Sequence, residues 1–308
     1  MFALEDVYPG IRRLTLPLPV GPKHVHCYLV AEPDGWTLVD TGLALPGLAE
    51  SLAGVEVARI AVTHFHPDHV GGGGPAAEAT GAPVHQGELD YAQCEQVRGT
   101  DDWPSRIAAW LEVNGVPAAI ADDLHAEGEA ARPLIRYAQD PTRVNDGDRI
   151  GGWDVVAMPG HADGHICLLR GGVLVCGDHL LPDITPAVGL YPGGRPDPLG
   201  DYLRSLERTI GLAPSLALPG HGEPITDPAG RARAVLAHHA ARLDETATAL
   251  DSEPQSGYEV SLALFGEELA PSQRRFAVAE TLAHLEHLVA IGRARQRESD
   301  GGFSYTET

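Results

Sequence analysis

Thr63-His64-Phe65-His66-Pro67-Asp68-His69 crowds three imidazoles and a carboxylate onto one short stretch of chain. Side chains of these types, packed together, would repel one another as imidazolium or bury polar atoms without partners, so the pattern points to a cation that takes their lone pairs. Neutral imidazole nitrogens and carboxylate oxygens suit zinc and similar borderline cations. Pro67 and the glycines at 71–74 shape the loop and let a helix start close to the ion. Three more ligand-type residues stand further along: His161 in Pro159-Gly160-His161, Asp178 in Gly177-Asp178, and His221 in Pro219-Gly220-His221-Gly222. Seven donors are too many for one tetrahedral ion and right for two ions that share a carboxylate and a water.

The elements that must position these residues are legible as strand-like segments that end close before them. Residues 11–16, 26–31, 36–39 and 58–62 have the two-residue period of strands, and the last runs into the histidine cluster. Strand patterns resume at 153–158, 166–169, 173–176 and 216–218, the first, third and fourth followed within a few residues by His161, Asp178 and His221. A helical texture separates the two groups. A short helix is expected around 47–53, and residues 90–98, 105–113 and 117–127 read as helices of an insertion spanning about 88–143. A Pro- and Gly-rich loop over 182–199 leads to a helix at 201–211. After 227 the chain turns to an Ala/Leu/Arg-rich helix, further helices near 258–264 and 276–291, and a two-stranded ribbon over 292–297 and 303–308 turning at Asp300-Gly301-Gly302. Three helices and a ribbon are the makings of a small winged-helix module.

Composition narrows the function. The 308 residues carry 22 Lys+Arg against 43 Asp+Glu, a formal charge of −21, and 43% of them are apolar. Such a chain buries a core and repels polyphosphate at long range. No run approaches the roughly 18 apolar residues of a membrane span. The opening Met1-Phe2-Ala3-Leu4-Glu5-Asp6 is acidic where a secretion signal is basic, so the expectation is a soluble, cytoplasmic protein. Cys27, Cys94, Cys167 and Cys176 have no CxxC spacing and read as buried thiols.

With HxHxDH, His161, Asp178 and His221 in this order, and Asp40 in Leu38-Val39-Asp40-Thr41-Gly42 before them, the chain resembles the metallo-β-lactamase superfamily over roughly residues 10–226. The resemblance implies a mixed α/β fold, an αββα sandwich of two sheets with helices outside and metals at one sheet edge. It implies a metallohydrolase domain over 1–226 and a winged-helix-like domain over 227–308. One ion would lie on His64, His66 and His161 and the second on Asp68, His69 and His221, with Asp178 bridging both. The ions would be two divalent cations, zinc before iron or manganese, and a hydroxide between them would be the nucleophile, since two cations bring a bound water's pKa towards about 7. Asp68 would orient or relay the proton, and Asp178 and Asp68 would be the catalytic carboxylates. Asp40 would support the metal loop from behind, and His165, His179 and Asp163 are read as supporting groups. His24 and His26 begin a strand and are given no role.

Departures within the superfamily select the substrate class. Zinc β-lactamases of the best-known class place a cysteine where this chain has Asp178, and lactonases that open acyl-homoserine lactones place a tyrosine where it has Leu181. Glyoxalase II shares the metal motifs but ends in a different helical region. The tail from Arg231 resembles that of the lactamase-B-type-two hydrolases, a branch with an endoribonuclease and polyketide-releasing thioesterases. Residues 226–308 hold eight Arg against 13 acidic residues, with only Arg293, Arg295 and Arg297 clustered, so nucleic acid is disfavoured as a partner and the tail reads as a packing, dimer-forming or pocket-lining element. The expected activity is hydrolysis of a small acyl substrate, a thioester or ester, with Trp103, Trp110 and the loop up to Tyr191 as apolar walls. The alternatives are a metal-dependent endoribonuclease and a glyoxalase II-like or lactone hydrolase.

Overall fold

The computed structural model of the protein describes residues 2–19, 21–122, 132–299 and 302–308. Its first sheet has seven strands in chain order: β1 (Leu4–Tyr8), β2 (Ile11–Pro17), β3 (His24–Glu32), β4 (Gly35–Val39), β5 (Val57–Val62), β6 (Val84–Gly87) and β7 (Thr142–Val144). The pairs from β1 to β4 are antiparallel and those from β4 to β7 parallel. The second sheet has the order β12-β11-β10-β9-β8, built from β8 (Arg149–Ile150), β9 (Trp153–Ala157), β10 (Ile166–Arg170), β11 (Val173–Gly177) and β12 (Leu216–Pro219). A parallel step joins β11 to β12.

Three layers of core explain the stacking. Tyr28 and Val30 of β3 point between the sheets and meet Trp153, Val155, Leu168 and Val175, while Cys27 and Leu29, one position over, face outward against Leu48, Leu52, Val70 and Ala76. This is the two-residue alternation of a strand with both faces covered. The outward face of the second sheet, with Val156, Cys167, Leu174, Cys176 and Ala217, packs under helices. All four cysteines are buried free thiols. β1, β6, β7 and β8 are not legible in the sequence pattern, for they are short and too irregularly apolar to show a period.

The helices in chain order are α1 (Leu48–Ser51), α2 (Pro67–Val70), α3 (Gly73–Thr80), α4 (Glu88–Arg98), α5 (Trp103–Val113), α6 (Pro198–Leu212), α7 (Pro228–Thr248), α8 (Gly257–Phe265) and α9 (Pro271–Ala290), followed by the ribbon β13 (Ala294–Ser299) and β14 (Gly302–Glu307). Residues 118–122 are helical, and the remainder of the helix expected over 117–127 lies outside the described residues, as do Asp300 and Gly301 of the expected turn. α6 and α7 start alike: Asp197 and Asp227 accept from Gly200 N at 2.8 Å and Gly230 N at 2.9 Å, with proline at the first helical position. Ser256 and Glu259 close a reciprocal cap on α8.

The insertion and the tail interlock. Tyr258 N donates to Asn114 O at 3.0 Å, and a Cβ on Gly302 would fall 2.0 Å from Val113 O. Ile107 and Leu111 of α5 join one core with Leu174 and Leu206 and with Val278 and Leu282 of α9. The tail thus shares the core outside the second sheet.

Candidate metal centre

The donors converge where strands of the two sheets end. β5 ends at Val62, and His64, His66, Asp68 and His69 follow on the loop and on α2. His161 comes from the loop after β9, Asp178 directly follows β11, and His221 lies two residues beyond β12. Three overlapping groups of donor atoms form there, each within 4.8 Å: His64, His66 and His161; His64, His69 and Asp178; Asp68, His69 and His221. Asp178 stands in the middle, with Oδ1 3.4 Å from His69 Nε2 and Oδ2 3.6 Å from His161 Nε2 and 3.3 Å from His221 Nε2. Asp68 Oδ2 lies 3.3 Å from His221 Nε2 and 3.8 Å from His69 Nε2.

What holds the rings is on the far side of each. His69 Nδ1 donates to Asp40 Oδ2 at 2.8 Å, His161 Nδ1 to Ala187 O at 2.7 Å, and His221 Nδ1 to His24 O at 2.7 Å. Pinning Nδ1 in this way leaves Nε2 aimed inward with its lone pair free, as is usual for rings that ligate a metal. Asp40 also accepts from Thr63 N and Thr63 Oγ1, both at 2.8 Å, and His64 Nδ1 lies 3.0 Å from that hydroxyl. Asp40 has φ +61°, a left-handed conformation that a non-glycine residue adopts at a cost, and those hydrogen bonds hold it there. Gly220 is required by closeness: a Cβ there would fall 2.5 Å from Asp178 Oδ1 and 2.6 Å from His69 Cε1.

The residues fit divalent cations. His69 Nε2, His161 Nε2 and Asp178 Oδ1 are closed to solvent and have no hydrogen-bond partner, and they point into the same space. Burial, and then the neighbouring imidazoles, push His64 and His66 well below the usual histidine range. Burial acts upward on Asp178, but His69 and His221 outweigh it and hold the carboxylate well below its usual range. Burial acts downward on His221, yet hydrogen bonds to Asp178 and Asp68 raise it to about 10, and His69 is raised above its usual value by Asp178, Asp40 and Asp68. A proton on either Nε2 occupies the position a cation would take, so cation binding here releases protons.

Of the expected supporting groups, His165 is fully buried and stacks on His64 with ring centroids 4.8 Å apart, and His179 bonds Thr209 Oγ1 through Nε2 at 2.7 Å. Asp163 points elsewhere, accepting from Gln93 Nε2 at 2.7 Å and Arg195 N at 2.8 Å. Trp103 and Trp110 pack on the tail's core, and the Trp110 ring lies 5.7 Å from Tyr191. Two contributors are silent in the sequence. Asp90, fully buried, accepts from Phe65 N at 2.9 Å and from Gln86 Nε2 at 2.6 Å, which anchors the middle of the donor loop to α4. His24 serves through its carbonyl, a role no residue type announces.

The chain matches the metallo-beta-lactamase superfamily over residues 20–221 and a metallo-beta-lactamase-like C-terminal domain over 243–308. It is 31% identical over 303 residues to a probable metallo-hydrolase of Bacillus subtilis, covering 90% of this chain and 91% of that one. A crystal structure of a metallo-beta-lactamase family protein from Thermus thermophilus superposes with a TM-score of 0.84 at 33% identity, covering 98% of this chain and 100% of that one. A hydroxyacylglutathione hydrolase of Pseudomonas fluorescens is 31% identical over 181 residues, 57% of this chain and 51% of that one.

Proposed function

The chain belongs to the metallo-β-lactamase superfamily, and on that premise we propose that it is a two-cation hydrolase of a small acyl compound, a thioester or an ester. In this reading His64, His66 and His161 hold one cation, Asp68, His69 and His221 hold the other, and Asp178 stands between them. The observation that carries it is the overlap of the three donor groups, which share His64 and His69, with His69 Nε2, His161 Nε2 and Asp178 Oδ1 buried and unpartnered. Two divalent ions, zinc before iron or manganese, would supply Lewis acidity and a nucleophilic water at neutral pH. The chain's own residues do the rest. Asp40, Ala187 O and His24 O fix three rings so that the donors need not reorganise, which keeps the site set for charge that develops on a carbonyl oxygen. Asp68, the more exposed of the two central carboxylates at 21% against 10%, is placed to take a proton from the attacking water and pass it to the leaving group.

Acyl chemistry is supported by the partial likeness to a hydroxyacylglutathione hydrolase and by the charge of −21, which disfavours polyanions. The test is elemental analysis of metal per chain combined with a panel of thioesters, esters and lactones. Two equivalents of metal and turnover of a thioester or ester are expected. A fully loaded protein inert to the whole panel would sink the reading.

A further inference from the structure

His161 Nε2 lies 3.6 Å from Asp178 Oδ2, yet the two residues come from separate loops, one on either side of the β10–β11 hairpin. A working centre needs such donors held to within about 0.5 Å. One face of α6 reaches both loops. Tyr202, Ser205 and Thr209, spaced three and four apart, share that face, and all three are buried. The Tyr202 hydroxyl donates to His179 O at 2.9 Å, and the Thr209 hydroxyl, which donates to Ser205 O at 3.1 Å, accepts from His179 Nε2 at 2.7 Å. Backbone and side chain of the residue next to Asp178 are thus both held. The Ser205 hydroxyl donates to Pro159 O at 2.7 Å, two residues before His161. Gly160, between them, presses against the helix: it has φ +137°, and a Cβ on it would fall 2.3 Å from Tyr202 Cβ and 2.5 Å from Tyr202 Cα.

Packing alone does not call for this face. The same helix buries Leu199 and Leu206 in a core shared with Val235 of α7 and with Leu282, Leu285 and Leu288 of α9. Apolar side chains would fill the three hydroxyl positions as well, and a buried hydroxyl is tolerated only with a partner. Outside the helix, the partners of these three are His179 and Pro159. α6 is in turn seated by the tail, where His287 Nδ1 of α9 lies 3.1 Å from each carboxylate oxygen of Asp197, the residue that caps α6. A helix fixed at its start and along its length can hold two loops at one separation.

We propose that Tyr202, Ser205 and Thr209 are positioning residues that set His161 against Asp178 for cation binding. The inference rests on the two-cation reading. The test titrates the metal-free full chain with cobalt(II) ions in competition with a chelator and records the absorption spectrum of the cobalt-loaded protein. Thr209→Val keeps the shape and removes the hydroxyl, and it is expected to bind cobalt about 10- to 100-fold more weakly and to shift the cobalt bands. Thr209→Ser, which keeps the hydroxyl, restores both. The matched control is Thr246→Val, for Thr246 is also buried and its hydroxyl donates to the carbonyl four residues back, Arg242 O at 2.8 Å, in a bond that stays within α7. Its cobalt affinity and bands are expected to match wild type. Tyr202→Phe, which removes a different hydroxyl, is expected to weaken cobalt binding in the same direction and decides the matter if Thr209→Val fails to fold. Equal affinity and equal bands in Thr209→Val, Tyr202→Phe and Thr246→Val overturn the proposal, while cobalt uptake by wild type leaves the two-cation reading standing. A wild-type chain that takes up no cobalt sinks that reading and the proposal with it.

Discussion

Among the described residues, two clusters of buried histidines can be set side by side, and one of them has the makings of a metal centre. At the centre, the His69, His161 and His221 rings are pinned through Nδ1 by carbonyls or a carboxylate and turn Nε2 towards Asp178 or Asp68. In the tail, His239 and His284 lie equally close, with Nδ1 and Nε2 3.3 Å apart, but they turn to each other, and His284 Nδ1 bonds Glu280 O on its own helix. Tyr202 packs edge-on against His239 at 5.5 Å, and among the described residues no third donor joins the pair to make a metal-holding group. Closeness of imidazoles is therefore a poor sign of a metal centre. What separates the two is the carboxylate that several rings share in front.

The comparison breaks first at Asp178. Asp178→Asn removes the carboxylate charge that faces His69, His161 and His221, and we expect kcat/KM to fall by about a thousandfold or more, several kcal/mol at about 1.4 kcal/mol per tenfold; a loss under tenfold in a metal-replete sample would remove Asp178 from the chemistry. Asp40→Ala comes next. It frees the His69 ring and orphans Thr63 N, and metal affinity is expected to drop about 10- to 100-fold in competition with a chelator. The tail pair should respond to acid instead. Burial first, and then the neighbouring His238 and Arg242 with each ring's partner or His287, depress His239 to about 3 and His284 to about 4. Because the folded values lie below the unfolded value near 6.5, their contribution is complete above pH 6.5 and is lost as the pH falls towards 4, by up to about 1.4 kcal/mol per pH unit for each ring. Denaturant midpoints between pH 7 and 5 measure this. The smallest effect is expected from His239→Leu/His284→Leu, which replaces both partners with apolar groups. Stability at pH 7 should move by less than about 1.5 kcal/mol and metal content not at all, while the acid dependence flattens. A loss of metal in that variant would erase the distinction between the two clusters.

The donors are legible in the sequence because chemistry fixes their types and strand ends fix their places, so His64 to His221 stand out against apolar runs. The sandwich follows from the same runs together with the family resemblance. What holds the donors is less visible. Asp40 carries a recognisable motif, but Asp90 looks like any helix-opening acid, and His24 acts through an atom that every residue has. The contact between α5 and the tail depends on Gly302 and Asn114, residues whose letters suggest only turns.

That the donors are spread from His64 to His221 along the chain sets an order for synthesis. The His64, His66 and His161 group is complete in a nascent chain 60 residues before His221 is added. At 5–20 residues per second the ribosome takes roughly 3–12 s to cover that interval. During it the growing polypeptide holds the first candidate trio, and then the one with Asp178, before the Asp68, His69 and His221 group exists, and the late arrival of β12, which pairs in parallel with β11, is the step that would finish the centre.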